Sequence, residues 1–307
     1  MKKINLNLLA ISVILILLTA CKKPKTEDTI TFTVTAEALN NGKTEIDGLG
    51  NINWESDDKI YTITGWSMGA YFNILTQNSG GSGGDEELKN EDGYATFSGR
   101  IGYGDEPYDY STVDFIHFRN YTSHMYDSPQ NVKVHINKQE GTQEKIGEYV
   151  ISKAPESKAT KINYTYQFSN VKFKPYTSVA RFNLSQYEDI AIKISYENIN
   201  NCYMASYVPW FDNQINEEGT NGEITILYPS ADTYVALLPQ IYKPGTHETF
   251  SMAPIENTII TFTNAITNEV IGTVTFPNGV KNGRLYTGPD YKPIKIGKRS
   301  TVVETEL

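Results

Sequence analysis

Cys21 is the clearest candidate for chemical modification in this chain, because it lies where an apolar run ends and the basic stretch KKPK begins. A cysteine can form a disulfide, or its thiolate can act as a nucleophile and accept an acyl group. The run before it, LNLLAISVILILLT, has 14 residues, which is shorter than the roughly 20 residues of a membrane-spanning helix. Together with the basic start MKKIN, this run predicts a secretory signal peptide over residues 1–20.

The four residues Leu18-Thr19-Ala20-Cys21 resemble the bacterial lipobox. Small residues at positions 19 and 20 suit a peptidase cleft, and the thiol is the nucleophile that accepts the diacylglyceryl group. The resemblance implies cleavage before Cys21, acylation of the new amino terminus (palmitate) and anchoring in the cell outer membrane. Several acyl chains anchor a protein far more stably than one. An ordinary signal peptide with an incidental cysteine is the alternative interpretation.

Cys202 is the second of the two cysteines in the sequence. If Cys21 is lipidated, Cys202 has no partner within the chain for a disulfide. It lies in the strand-like stretch NINNCYMASY, and a single cysteine is among the most buried residue types. We therefore expect a core thiol. A catalytic role would need a histidine partner, and the sequence places none beside it.

Three acidic pairs have the residue types of a general acid and base, as in glycosidases: Asp57-Asp58, Glu86-Glu87 and Glu217-Glu218. Each pair lies in turn-like sequence, and adjacent residues of a strand point to opposite faces. We therefore expect solvated turn residues, with Asp58 capping the turn before the strand KIYTI. His117 and His135 lie in strand patterns without Asp or Ser motif partners, so we expect both on sheet faces.

The composition argues against several functional classes. The 27 Lys and Arg residues and 36 Asp and Glu residues give a formal net charge of −9, whereas nucleic-acid binding requires clustered basic charge. Four histidines and two cysteines offer little material for a metal site. The stretch NSGGSGGDEELKNEDG (78–93) lacks the Gly-Lys-Ser/Thr ending of a phosphate-binding loop and predicts a flexible surface loop. We therefore expect that the protein is not an enzyme, has no catalytic residue, and binds no metal ion or other cofactor.

Alternation of apolar and polar residues predicts strands along most of the chain. TITFTVTAE (29–37) alternates apolar residues with four threonines, DIAIKISY (189–196) alternates in the same way, and NTIITFTNAITNEVIGTVTF (257–276) suggests two strands around a turn. The 21 tyrosines also favour strands. The other strand-like stretches are KIYTIT, YATFSGRI, VDFIHFRNY, NVKVHIN, NYTYQFSNVKF, SVARFNL, EITILY and TYVALLP. Many short strands with few short helices predict an all-β protein built from β-sandwiches.

A length of 307 residues suits two domains. The polar stretch APESKATKIN (154–163) predicts a loop late in the first half, and YMASYVPWFDNQINEE (203–218) has room for a short helix. We place the boundary at Lys174-Pro175-Tyr176, where a new alternating pattern begins. The prediction is an N-terminal β-sandwich domain over residues 21–175 and a C-terminal β-sandwich domain over residues 176–307.

Several stretches, in this order, resemble the fimbrillin family of Bacteroides and its relatives, the major and minor fimbrial subunits. KTEIDGLGNINWESDDKIYTITG resembles the family's Trp-x-x-x-Asp-x-Ile segment through Trp54, Asp58 and Ile60, and YATFSGRI resembles the strand that follows it. VKFKPYTSVARFNL resembles the entry into the second domain. TYVALLPQIYKPG and GRLYTGPDYKPIKI resemble the closing strands. The resemblance covers nearly all of the chain after Cys21.

This resemblance implies two tandem transthyretin-like β-sandwich domains and a structural subunit of a surface fimbria, as stalk, tip or anchor, that supports adhesion. In this family a protease removes the lipidated segment together with the first strand. The opened groove then accepts a strand from a neighbouring subunit, which satisfies the unpaired backbone and the apolar trench. Head-to-tail contacts of this kind build a filament. The implied partners are other fimbrial subunits, and the implied location changes from the outer membrane to the fimbrium.

Lys43 is the possible processing site, because it is the one basic residue of the polar loop ALNNGKTE after the first strand. The first arginine, Arg100, lies inside a predicted strand. A chain cut at Lys43 would lose its lipid and its first strand together, whereas an uncut chain would act as an anchor. The C-terminal GKRSTVVETEL has two interpretations, a donor strand through Thr301, Val302 and Val303 or a frayed tail.

A cell-surface glycan-binding lipoprotein is the alternative function. Aromatic side chains on the loops of a β-sandwich can stack on sugars, and Trp54, Trp66 and Trp210 are the tryptophans available for it. Sandwich folds serve both functions, so the sequence leaves this alternative open. A ligand on a host or bacterial surface would be consistent with either role.

Overall fold

The computed structural model describes residues 30–37, 54, 58–64, 71–77, 94–100, 110–119, 121–122, 133–196, 206–208, 213–215, 223–238, 256–297 and 300–306. Several residues discussed above lie outside this part of the chain: Cys21, Lys43, Trp66, Cys202 and Trp210. The predictions about them are therefore not tested by the structure.

Short strands make up most of the described chain. Strands β1 to β11 are Thr31–Glu37, Lys59–Thr64, Tyr71–Gln77, Tyr94–Arg100, Thr112–His117, Tyr121–Thr122, Lys133–His135, Lys138–Gln139, Ser152–Ile162, Thr165–Val171 and Lys174–Pro175. Strands β12 to β22 are Ser178–Asn183, Ile192–Tyr196, Ser206–Val208, Asn213–Ile215, Ile224–Ile226, Thr233–Leu237, Thr258–Asn264, Val270–Phe276, Arg284–Thr287, Ile294–Lys295 and Val303–Glu306.

Helical structure in the described ranges is limited to three short 3-10 turns, Ile146–Tyr149, Ser185–Tyr187 and Pro289–Tyr291. None of the helices in these ranges is long and apolar enough to cross a membrane. The prediction of an all-β sandwich fold with few short helices is confirmed, because the strands form several sheets packed around shared cores.

The first sheet has eight strands in the order β10-β1-β4-β3-β2-β5-β9-β11. Strand β9 pairs with β10 as well as with β5, so the first seven strands of this order form a closed ring. All neighbours within the ring run antiparallel except β1 and β10, which run parallel. The first and tenth strands are therefore adjacent although more than a hundred residues separate them.

Three further sheets complete the described structure. One has the order β17-β12-β20-β22, with β21 beside β12, and a second has the order β19-β18-β13-β16-β8. A third, smaller sheet has the order β15-β14-β7-β6. Strands from both halves of the chain meet in the last two, because β8 pairs with β16 and β7 pairs with β14.

The buried apolar residues form two clusters. The first core lies inside the ring and contains Phe32, Val34, Ala36, Trp54, Ile60, Ala95, Phe97, Tyr110, Val113, Phe115, Ala154, Tyr166, Phe168, Val171 and Phe173. The second core lies mainly among β12, β13 and β16 to β20. Neighbouring residues of β2 and β5 serve different cores, since Ile60 and Phe115 belong to the first and Tyr61 and Ile116 to the second. Opposite faces of these strands therefore line the two cores.

Residues 134–151 precede the predicted domain boundary, yet their apolar side chains pack in the second core. Gln139 in this segment is fully buried. Its Nε2 donates to the carbonyl oxygens of Ile136 (3.0 Å) and Ala236 (2.9 Å), and its Oε1 accepts from the Ala236 amide (2.8 Å). The side-chain amide of Gln139 thus forms hydrogen bonds with the backbone amide and carbonyl of Ala236 on the edge of β17, as the backbone of a neighbouring strand would. The domain boundary at 175/176 stays a prediction.

One local prediction is wrong. APESKATKIN, predicted as a loop, lies mostly in β9, an eleven-residue strand. Its polar side chains are largely exposed while its backbone pairs with β5 on one edge and β10 on the other. The stretch predicted to have room for a short helix contains β14 and β15, and β14 pairs with the distant β7. Its other residues lie outside the described part of the chain, so the helix stays a prediction.

Candidate strand-acceptor site

Strand β1 is internal to its sheet. Residues Thr31–Val34 pair in parallel with Thr165–Phe168 of β10, and all seven residues of β1 pair antiparallel with β4, from Thr31 opposite Arg100 to Glu37 opposite Tyr94. The Thr31 amide also donates to the Tyr164 carbonyl oxygen at 3.0 Å. Both backbone edges of β1 are therefore satisfied by other parts of the chain, and its register with β10 shifts between Val34 and Ala36.

The side chains of β1 follow the alternation of its sequence. Phe32, Val34 and Ala36 are 0% exposed, while the three threonines between and before them are half-buried on the other face. Burying a Phe or Val side chain contributes about 1.5–3 kcal/mol each. Without β1, the neighbouring edges of β4 and β10 would lack backbone partners and the first core would open to water.

Aromatic rings surround Phe32. Its ring centroid lies 5.1 Å from that of Phe168, 5.4 Å from Tyr110, 5.8 Å from Tyr166 and 6.4 Å from Phe115. Three of these four pairs are edge-to-face and the pair with Phe168 is tilted, which suits the quadrupoles of the rings. The sequence predicted β1, but the aromatic surroundings of Phe32 come from two other segments, residues 110–115 and strand β10.

The processing and lipidation sites are not tested by the structure. Strand β1 ends at Glu37, and the next described residue is Trp54. Lys43 lies between these two positions, and Cys21 lies before Ile30, outside the described residues. Both therefore stay predictions.

Asp58 and His117 are partners in a buried cluster. Arg119 donates from Nε and Nη2 to the two carboxylate oxygens of Asp58, each at 2.7 Å. His117 Nε2 lies 3.2 Å from Asp58 Oδ1. Asp58 is 4% exposed and His117 is 1% exposed. The predictions that Asp58 is a solvated turn residue and that His117 lacks an aspartate partner are therefore wrong, because pairing of β2 with β5 joins residues 59 and 61 positions apart.

The arrangement around Asp58 favours a structural role. Its carboxylate is held at both oxygens by one guanidinium group, and the imidazole of His117 packs edge-on against Trp54 at a centroid distance of 5.0 Å. Trp54 itself is 4% exposed and also contacts Phe97 and Phe173. Trp54 is thus a core residue, and the hypothesis that it stacks on a sugar is wrong.

The remaining candidate residues are dispersed or outside the described chain. His135 lies in β7, half-buried, as a sheet-face residue. Asp57, Glu86-Glu87 and Glu217-Glu218 lie outside the described residues. Within the described part, no three His, Cys, Asp or Glu side chains come together in a group that could hold a metal ion. The expected lack of enzymatic activity and of cofactors remains a prediction.

Lys153 lies where the first sheet meets the second core. Its Nζ is 3.8 Å from the centroid of the Tyr176 ring, and Tyr176 is 3% exposed. Burial lowers the pKa of Lys153 to about 7, although Asp114 acts in the opposite direction. Burial also raises the pKa of Tyr176 well above its usual value. Beside this pair, the Ile151 amide donates to Thr177 Oγ1 (3.1 Å), and the Thr177 amide donates to the Ile151 carbonyl oxygen (3.3 Å).

The C-terminal stretch is a strand in the folded chain. Strand β22 pairs antiparallel with β20, from Val303 opposite Thr287 to Glu306 opposite Arg284. Lys281 Nζ lies 2.9 Å from both carboxylate oxygens of Glu304. The interpretation as a frayed tail is therefore wrong over these residues, and in this structure the strand is paired within its own chain.

Comparisons with known proteins give only distant likenesses. No protein-family model and no curated protein sequence matches the chain. Among solved structures, a candidate cell adhesion protein from Bacteroides fragilis shows 8% identity and a TM-score of 0.34, covering 91% of this chain and 97% of that one. A fimbrial protein from Bacteroides ovatus shows 12% identity and a TM-score of 0.36, covering 90% of this chain and 53% of that one. This chain thus spans about half the length of the second protein.

Proposed function

We propose that this chain is a structural subunit of a surface fimbria, exported as a lipoprotein and assembled by strand donation, and that it supports adhesion. Its partners are other fimbrial subunits. The proposal joins the resemblance of the sequence to fimbrillins with one structural observation, the position of β1. The two tandem sandwich domains of the prediction, residues 21–175 and 176–307, are part of the proposal.

The position of β1 carries the proposal. It is the first described strand, yet it is an internal strand of its sheet, between β4 and β10, with Phe32, Val34 and Ala36 fully buried. A strand that comes first in sequence and pairs on both edges can be removed by one cut after it. The site that remains would have the shape and the unpaired backbone of a strand acceptor.

Lipidation of Cys21 explains how such a cut is coupled to assembly. The lipid would hold the chain at the outer membrane through the residues before β1. Hydrolysis of the peptide bond after Lys43 would then separate the lipidated segment and β1 from the remaining protein in one event. A chain that is not cut would keep its lipid and fasten a fimbria to the membrane as an anchor.

A second candidate function is glycan binding at the cell surface. Trp54 does not serve it, but Tyr228 is 61% exposed and Tyr291 is 57% exposed. Exposed tyrosine rings can stack on sugars, so retained monomer together with affinity on a polysaccharide array would favour this function.

Mass spectrometry of the N-terminus of sheared filaments tests the proposal. We expect a chain that starts after Lys43, and a polymer ladder on gels of unheated samples that disappears on heating. A chain that still starts at lipidated Cys21 would contradict cleavage at Lys43 and the stalk role. Its presence at the base of filaments would favour the anchor role.

Two matched variants separate the cut from other steps. Lys43→Gln is expected to keep lipid and β1 on the chain and to abolish the ladder. Lys25→Gln removes a basic residue before β1. A cut at residue 25 would release the lipid but leave β1 in place, so it would not open the acceptor site. We therefore expect the Lys25→Gln variant to polymerise normally. Equal behaviour of the two variants would exclude Lys43 as the processing site.

A further inference from the structure

We propose that the space filled by Phe32 determines which donor strand this subunit accepts. It requires an aromatic side chain, so the donor is not the C-terminal strand of a second copy of this chain. We assign the donor to a different subunit whose strand carries an aromatic residue at this position. This inference rests on the proposed function, since it assumes that β1 is replaced.

The surroundings of Phe32 are built for a ring. Tyr110, Phe115, Tyr166 and Phe168 contribute four aromatic rings with centroids 5.1 to 6.4 Å away. Some of these rings also pack against each other, since Tyr110 lies 5.5 Å from Tyr166 and Phe115 lies 4.8 Å from Phe168. Because each ring is held by its neighbours, the space has little freedom to collapse around a smaller side chain.

The three inward positions of β1 decrease in size along the strand, from Phe32 through Val34 to Ala36. A replacement that reproduces the pairing must run parallel to β10 and antiparallel to β4. Its direction is thereby determined, and its first inward residue meets the aromatic rings. The acceptor site therefore selects a strand with an aromatic, an aliphatic and a small residue at alternating positions.

The C-terminal strand of this chain does not match that pattern. One alternating set is Thr301, Val303 and Thr305, in which the largest apolar side chain is a valine. The other set is Val302, Glu304 and Glu306, which would carry two carboxylates into an apolar core at a high desolvation cost. Neither set holds an aromatic residue.

A valine in the space of Phe32 leaves a cavity bounded by rings. Large-to-small substitutions in a core lose the transfer free energy of the missing atoms and add the cost of the cavity. We expect this loss to weaken binding of a strand by at least about tenfold. A strand from another subunit with an aromatic residue at this position avoids the loss.

Strand exchange on the full chain tests the inference. The protein, with Cys21→Ser and a fluorophore at residue 25, is cut in the loop after β1 so that the labelled segment stays bound without a covalent bond. Synthetic peptides are added in excess, and fluorescence anisotropy follows release of the segment. The peptides are TITFTVTAE, the same peptide with valine in place of the phenylalanine, and STVVETE.

We expect TITFTVTAE to replace the labelled segment, the valine peptide to bind at least about tenfold more weakly, and STVVETE to bind more weakly still. A peptide with serine in place of the threonine at position 33, which lies on the outer face, serves as control and should equal the parent peptide. Equal binding of STVVETE and TITFTVTAE would overturn the inference while leaving strand donation intact. Failure of TITFTVTAE itself to exchange would overturn the proposed function and the inference together.

A reciprocal measurement avoids any change to the acceptor. Cut protein that carries Phe32→Val in its own β1 should release the labelled segment at least about tenfold faster than the parent. An unchanged release rate would mean that the aromatic rings do not discriminate between side chains, and the inference would fall.

Discussion

Strands β1 and β22 lie near opposite ends of the chain and are held in different ways. Strand β1 pairs on both edges and buries three alternating apolar side chains completely. Among the described residues, strand β22 pairs only with β20, and none of its residues is buried, with Val303 38% exposed. Besides its backbone pairing with β20, it has ion pairs from Lys281 to Glu304 and from Arg284 to Glu304 and Glu306.

This difference between β1 and β22 follows from the residue types that alternate along each strand. In β1 apolar residues alternate with threonine, so one face suits a core and the other suits a half-exposed surface. In β22 glutamates occupy one face, and charged residues on an edge strand discourage pairing with other molecules. Burial of apolar area therefore stabilises β1, whereas screened charge pairs stabilise β22. The predictions below test this contrast, beginning with the largest expected effect.

Phe32→Ala should lower the free energy of unfolding by about 3–5 kcal/mol, because it removes a fully buried ring and leaves a cavity. Urea denaturation measures the loss. Val303→Ala in β22 is the matched control, and we expect it to cost less than about 1 kcal/mol because its side chain is partly exposed. Losses of similar size in the two variants would contradict the contrast between the strands.

Asp58→Asn should lower the free energy of unfolding by about 3 kcal/mol, because it removes the negative charge of a buried carboxylate that two nitrogens of the Arg119 guanidinium contact. The control is Glu223→Gln, which removes a more exposed ion pair with Lys193 and should change stability by less than about 1 kcal/mol. If the free energy of unfolding falls by less than about 1 kcal/mol in both variants, burial does not determine the strength of ion pairs in this protein.

Lys153→Met should flatten the pH dependence of stability. Because burial lowers the folded pKa of Lys153 to about 7 from an unfolded value near 10.5, the unfolded chain binds more protons between these pH values. Stability therefore rises with pH across this window, by at most about 1.4 kcal/mol per pH unit from this residue. Urea denaturation of parent and variant from pH 6 to 11 measures the difference in slope. Parallel curves would contradict a Lys153 amine whose pKa is lowered to about 7 in the folded chain.

Glu304→Gln combined with Glu306→Gln should loosen β22 and leave β1 unchanged. We expect less than about 1 kcal/mol of destabilisation, because exposed ion pairs contribute little. Amide hydrogen exchange should become a few-fold faster in β22, and added salt should have the same effect on the parent protein. Glu269→Gln, in an exposed turn, is the control. Faster exchange in β1 would show that the two strands are coupled.

Part of the fold was accessible from the sequence. The alternating stretches 29–37 and 257–276 predicted β1, β18 and β19, because a period of two is a local property that survives without knowledge of neighbours. Strand β9 was predicted as a loop because it lacks this local alternation of apolar and polar residues. Its residues are polar and exposed, and it is a strand because β5 and β10 provide partners on its two edges.

The buried cluster of Asp58, His117 and Arg119 could not be predicted from the sequence. Asp58 and Arg119 lie 61 positions apart, and no local pattern links a turn-like aspartate to an arginine that follows a strand. The surroundings of Phe32 were partly foreshadowed, since Tyr166 and Phe168 alternate in the strand-like stretch NYTYQF. Which strand they would face depended on the parallel pairing of β1 with β10.

The sequence by itself determined the strand content of this protein and which face of β1 is apolar. These properties depend on residue type and spacing within a few positions. Tertiary structure alone decided that β1 closes a ring between β4 and β10, that residues 134–151 join the second core, and that β22 pairs with β20. Pairing and register of this kind depend on contacts between distant segments, whose free energy no local stretch of sequence contains.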